Sequence, residues 1–347
     1  MDWKRFLYIV HEDEDKRHLF QKVMLRRILN GFLSGPVLTV PALSHQYQKM
    51  SSQALPKEIS IPVPYGHIAG KIWNEGGYPI LGLHGWMDNA GTWDGIGPLL
   101  PSDVSLISID FPGHGHSSHS PAGVPSHFMN LVVVIERVLR HFGWEEVSLL
   151  GHSMGGGAAM MYAATFPEKV KKLMVMDFIK PMSVMPCNQP EKTALAVEQL
   201  LKIEKILGST APMYDYNTIV ERMLKSYGNS LTEKSAKILL KRGSKQLSDG
   251  LHSFTYDPKL KGSSIISLTF EQQKAFAERL KCDMLLIKAT SGPLYESQEL
   301  YDEIIEIYGK STRSFQYITV EGTHHVHLNQ PEKVVPLIKD FIQNTGN

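Results

Sequence analysis

Cysteine is scarce in this 347-residue chain: Cys187 and Cys282 lie far apart and in no Cys-x-x-Cys spacing. That removes the case for a disulfide framework or a thiolate metal centre, and fits a reducing compartment. Charge of one sign is lacking too, since 36 Lys and Arg against 35 Asp and Glu leave a formal charge of +1. With no long basic block and no zinc-finger spacing, nothing points to nucleic acid as a partner. No run approaches the roughly 18–20 consecutive apolar residues of a membrane-spanning helix, and no uninterrupted apolar signal segment is read near Met1. The expectation is a protein without an integral membrane segment, cytoplasmic, and acting on a small neutral molecule. No glycine-rich phosphate loop of the dinucleotide or P-loop type is present, so no cofactor is expected.

What is present divides unevenly. Residues 1–57 read as an appendage: an acidic patch, Glu12-Asp13-Glu14-Asp15, is followed by Lys16 to Lys57 without one Asp or Glu. Within it Leu19, Phe20, Val23, Met24, Ile28 and Phe32 recur at helical spacing beside Lys22, Arg26 and Arg27, a short basic amphipathic pattern. A start at Met24 would expose an Arg-bearing, acid-free leader of the mitochondrial kind, whereas the acidic run argues against targeting from Met1.

From Glu58 to Asn347 the chain reads as one domain. Alternation at Ile59, Ile61 and Val63, a Pro64-Tyr65-Gly66 turn and a second run from Ile68 to Trp73 predict an opening antiparallel pair. Apolar runs of strand length follow at 80–83, 104–109, 147–150, 173–176, 284–287 and 315–320, separated by helical patterns at 128–142, 155–166, 298–308 and 334–342. Alternating β and α segments predict an α/β fold, a mostly parallel sheet with helices on both faces. Between about 179 and 270 the rhythm breaks into helical patterns without a clear strand, which reads as an inserted cap.

One run carries the chemistry. A buried strand enters Gly151-His152-Ser153-Met154-Gly155 and leaves as a Gly- and Ala-rich helix, the strand–turn–helix setting that Gly-x-Ser-x-Gly needs to act as a nucleophile elbow. Glycines two residues either side of Ser153 clear the tight turn, and the helix N-terminus favours developing negative charge. A serine hydroxyl needs a base, which should lie late in the chain. Gly322-Thr323-His324-His325-Val326-His327 precedes Pro331 and the final helix, and His324 is the candidate. His325 and His327 read as packing or polar support; no ligand set at a known spacing accompanies them, so no metal is expected. His84-Gly85-Trp86 ends a strand so that the Trp86 amide, with that of Met154, could bind an oxyanion. Asp110 to Ser117, with His114 and His116, reads as an architectural loop.

Four motifs in this order, His84-Gly85-Trp86, Asp110 to Ser117, Gly151 to Gly155 and Gly322 to Pro331, resemble the α/β-hydrolase superfamily. More narrowly, His84 to Ala90, Phe111 to Ser118 and Gly151 to Gly156 are similar to the animal serine hydrolase-like proteins, kraken-type in insects. The resemblance implies an α/β-hydrolase fold and a triad whose acid follows the strand at 284–287. Here Lys288-Ala289-Thr290-Ser291-Gly292 stands instead. Asp177, at the end of the strand after the elbow helix, is one substitute, because haloalkane dehalogenases place their carboxylate there. Glu296 is another, and a dyad without an acid is the third. The expected activity is a carboxylesterase-like serine hydrolase (EC 3.1.1) acting through an acyl-enzyme on a small apolar ester-like substrate. Two alternatives stay open: a catalytically weak ligand-binding protein on a hydrolase scaffold, and a carbon–carbon bond hydrolase. Met182, Met185 and Leu200 in the cap are candidates for substrate choice.

Overall fold

The computed structural model describes residues 55–208, 211–247 and 249–344. The amphipathic pattern and leader expected before residue 55 lie outside them.

An eight-stranded sheet forms the centre, in the order β1-β2-β4-β3-β5-β6-β9-β10. Its first strands, β1 (Lys57–Val63) and β2 (Gly66–Trp73), make the expected antiparallel pair, and β2 runs antiparallel to β4 (Val104–Ile109). From β4 onward every pairing is parallel, through β3 (Tyr78–Leu83), β5 (Val147–His152), β6 (Val170–Met176), β9 (Asp283–Ser291) and β10 (Ser314–Thr323). The centres of β3, β4, β5, β6 and β9 are buried and mostly aliphatic because both faces are covered, whereas the edge strand β10 alternates between half-buried and exposed residues. One face packs on α1 (Asn130–Phe142), α2 (Met154–Thr165) and the helix Gln298–Ser311 through Val138, Tyr162 and Tyr308. The other packs on Trp93 and the last helix, Pro331–Asn344, through Val334, Ile338 and Phe341.

Between β6 and β9 the chain leaves the sheet for α3 (Gln189–Glu204), α4 (Tyr216–Ser226), α5 (Glu233–Gly243) and α6 (Phe270–Ala277). Three of these helices start at side-chain caps: Asp215 accepts from the Thr218 amide, Thr232 from that of Ser235 and Thr269 from that of Gln272. Ile219, Met223, Leu239 and Leu240 close a separate apolar cluster with Leu328. The expectation of no strand here is corrected by a short antiparallel hairpin, β7 (Ser244–Gln246) with β8 (His252–Phe254). Three-residue strands with one buried side chain between them are too short for alternation to register.

The segment is tied to the sheet by a buried ion pair. Arg242 of α5 spans Asp110, at 2.7 Å, and Glu58, at 2.6 Å. Asp110 also accepts from the Ala90 and His116 amides, at 2.7 and 2.9 Å. Burial alone would raise the Asp110 pKa, but Arg242 and these amides hold it below the usual carboxylate value. Among the described residues no helix is long and apolar enough to cross a membrane, and both cysteines are free.

Candidate active site

Ser153 stands between β5 and α2 with φ +51° and ψ −119°, a backbone region that side chains disfavour. The sharp turn survives because its flanks are bare. A Cβ on Gly151 would come within 2.6 Å of the Gly155 carbonyl, and one on Gly155 would strike the Leu83 and His84 carbonyls. The Ser153 amide donates to the Met176 carbonyl at 3.1 Å, which fastens the turn to the end of β6.

The next residue along β6, Asp177, also has positive φ, +48°. Its amide donates to the Ile287 carbonyl at 2.7 Å, so its side chain emerges between β6 and β9. One carboxylate oxygen, Oδ1, accepts from the Ala289 amide at 2.9 Å and from Lys288 Nζ at 2.5 Å. The other, Oδ2, accepts from His324 Nδ1 at 2.5 Å. On its far side His324 Nε2 lies 3.0 Å from Ser153 Oγ, placed to accept the hydroxyl proton. The structure thus joins Ser153, His324 and Asp177 in one hydrogen-bonded chain. Burial pushes the Asp177 pKa up, yet the hydrogen bond and charge of His324, followed by those of Lys288, bring it below the usual carboxylate value. Glu296, the other carboxylate weighed from sequence, is instead bound by Lys180 and Ser183.

Trp86 lies in the loop after β3, and Met154 directly follows Ser153. Met154 opens α2, so its amide is among the first four that have no acceptor within the helix. The Trp86 indole donates to the Leu260 carbonyl at 2.8 Å and its ring is half-exposed. The neighbouring Met87 amide is taken by His114 Nε2 at 3.2 Å. His84 has a tying role: Nδ1 donates to the Gly85 carbonyl at 2.7 Å and Nε2 accepts from the Phe111 amide at 2.9 Å. Met182 and Met185 are exposed, whereas Leu200 is half-buried.

Behind these groups lies a layer of which the sequence analysis read only His325 and His327, as packing or polar support. Asp88, His152, His325 and His327 are buried together, with the His152 ring centre 4.1 Å from that of His327 and 4.6 Å from that of His324. His152 is the variable residue of the elbow motif, and Asp88 lies far from it in the chain, so no local spacing announces the cluster. Lys288 was likewise visible only as the place where an acid was missing.

A parallel sheet with a strained serine at a strand–helix turn, and a histidine held against it by a carboxylate, defines a protein of the α/β-hydrolase fold; residues 78–202 match that family. A Drosophila melanogaster protein named "Probable serine hydrolase" is 37% identical over 83% of this chain and 88% of its own length. Serine hydrolase-like protein 2 of Homo sapiens is 36% identical over 85% of this chain and 98% of its own. Among solved structures, a hypothetical protein of Pseudomonas aeruginosa superposes with a TM-score of 0.75 at 26% identity, over 82% of this chain and 99% of that one. The chain belongs to the serine hydrolase-like family of the α/β-hydrolases, and is a hydrolase by that membership.

Proposed function

We propose that the protein hydrolyses small apolar ester-like substrates through an acyl-enzyme. The observation that carries this reading is the unbroken chain from Ser153 Oγ through His324 to Asp177 Oδ2. Ser153 attacks the carbonyl carbon as His324 Nε2 takes its proton. Asp177 orients the ring and stabilises the imidazolium, and the Trp86 and Met154 amides meet the oxyanion. His324 then protonates the leaving alcohol, and water, activated by the same imidazole, releases the acid and restores Ser153.

Acyl transfer is favoured because the nucleophile position holds a hydroxyl; the alkyl-enzyme route of dehalogenases needs a carboxylate there. In this reading residues 179–270 form a cap over the site, and the location is cytoplasmic. Labelling with a fluorophosphonate probe tests the core of it. Wild type and Asp177→Asn should be compared with Ser153→Ala and His324→Ala, in parallel with turnover of a short-chain chromogenic ester. Loss of labelling and turnover in Ser153→Ala and His324→Ala, with turnover sharply reduced in Asp177→Asn, is the expected result. A wild type that neither labels nor turns over esters would overturn the reading in favour of a ligand-binding protein on a hydrolase scaffold.

A further inference from the structure

We propose that Asp88, His152 and His325 form a binding site for a divalent transition metal of the zinc class, lying directly behind the serine and histidine of the active site. Their donor atoms, one from each residue, all fall within 4.8 Å of one another, and all three residues are buried. Asp88 Oδ2 lies 3.3 Å from His152 Nδ1 and 3.5 Å from His325 Nε2. Ligand atoms about 2.0–2.1 Å from a tetrahedral zinc stand roughly 3.3 Å apart, so two of the three edges already have the separation that coordination requires. Two imidazoles and a carboxylate are a donor set suited to zinc, cobalt or nickel.

The hydrogen bonds around the cluster set the tautomers that ligation needs. His152 Nε2 faces the His324 carbonyl oxygen at 2.9 Å and must donate to it, so a neutral His152 turns the lone pair of Nδ1 toward the Asp88 carboxylate. His325 Nδ1 lies 2.7 Å from Ser230 Oγ, which can accept its proton and leave Nε2 as a donor to metal. Metal-ligating histidines characteristically have the second ring nitrogen held in this way. Four buried atoms here find no hydrogen-bond partner within the protein: Asp88 Oδ1, His152 Nδ1, His327 Nδ1 and the hydroxyl of Tyr227, which lies beside Asp88. Orphaned acceptors in an interior cost free energy. A cation bonded to this face of the cluster would satisfy His152 Nδ1 and neutralise Asp88 together.

The three ligands come from the loop after β3, the end of β5 and the loop after β10. Asp88 follows Trp86 by two residues, while His152 immediately precedes Ser153 and His325 immediately follows His324. A bound ion would therefore fasten together the three segments that present these groups, and the binding claim stands whether or not the acyl-transfer reading does.

The test uses the full chain without an affinity histidine tag, stripped with chelator and titrated with cobalt(II). The expected result is one cobalt per chain, with the intense visible absorption of a low-coordinate site, displaced by zinc. Zinc should also raise the Tm, because the ion binds only the folded chain. His325→Gln should weaken cobalt binding by more than about tenfold, since even outer-shell partners are worth about that much. Replacement of the surface His119 by Gln should leave binding unchanged. No cobalt absorption by folded wild type overturns the site without recourse to any variant. Equal binding by His325→Gln, or loss of binding in His119→Gln, overturns its location.

Discussion

The carboxylate of Asp177 occupies the volume that a side chain on Gly292 would fill: a Cβ built on that glycine strikes both carboxylate oxygens and their carbon. Gly292 lies in the loop after β9, where the resemblance to α/β-hydrolases led us to expect the triad acid. The chain delivers a carboxylate to the same point in space from the end of β6, and the β9 side keeps the point clear with a glycine and braces it with Lys288.

From this relationship Gly292→Ala should impair ester turnover although it removes no polar group, because the methyl displaces Asp177 from His324. Asp177→Asn should cost on the order of 10⁴-fold in kcat, the usual penalty for a misoriented imidazole. Adding Gly292→Asp to Asp177→Ala, which empties the space the new carboxylate needs, should restore at least about tenfold of the activity that Asp177→Ala loses, roughly 1.4 kcal/mol of barrier. A double variant no better than Asp177→Ala would show that the two positions are not interchangeable.

Arg242→Met should destabilise the fold by about 3–5 kcal/mol, because it strands the Asp110 carboxylate without its cation in the interior. Both side chains are essentially inaccessible, at 2% and 0% exposure, so water cannot substitute. Urea unfolding gives the comparison. Asp110→Asn with Arg242→Met together should cost less than the two single losses summed, which a double-mutant cycle measures. Additive losses would mean that the pair is not what holds α5 to the sheet.

Much of this was legible because its signals are local. Strand runs bounded by turns, the elbow at 151–155 and the late His324 loop are each contained in about ten residues, and all lie where the sequence put them. What escaped was settled across the chain. Asp177 is a candidate from its place after the strand that follows the elbow helix, but the contacts that set it apart from Glu296 exist only once β9 is laid beside β6. Arg242 carries no local signal at all, and its role appears only when α5 is folded onto Asp110. The β7–β8 hairpin failed for a different reason, since its three-residue strands carry too little alternation to be seen.

Stability should depend on pH through His84 and His114. Burial lowers both pKa values, and pushes His114 down to about 3, helped by the neighbouring His84. The folded protein keeps these rings neutral while the unfolded chain protonates them below about 6.5. The unfolded state then binds more protons, so stability is complete above that pH and falls as pH drops from about 6.5 toward 3. The midpoint of urea unfolding should already decline between pH 7 and 5, before carboxylates titrate. His114→Gln, which retains an acceptor for the Met87 amide, should flatten the decline; an unchanged slope would remove His114 as a source.

The elbow itself should yield stability when its side chain is removed altogether. At φ +51° and ψ −119°, Ser153 lies outside even the left-handed helical well, in a region that glycine alone enters freely. Such strain costs about 1–3 kcal/mol. Glycine gives back roughly 0.5–1 kcal/mol through the greater freedom of its unfolded chain. Ser153→Gly should therefore be more stable than Ser153→Ala by about 1 kcal/mol, since alanine retains the Cβ that makes the conformation costly. Both variants lose the hydroxyl, so both should be inactive toward esters and inert to the probe. Comparing the two with each other, not with wild type, cancels the loss of the Ser153–His324 hydrogen bond and isolates the backbone term. If Ser153→Gly unfolds at the same urea concentration as Ser153→Ala or below it, the turn is not strained in the way its dihedral angles imply. If it is the more stable, the strain is borne for the sake of presenting Oγ to His324 Nε2, because no other contact in the turn requires a side chain at that position.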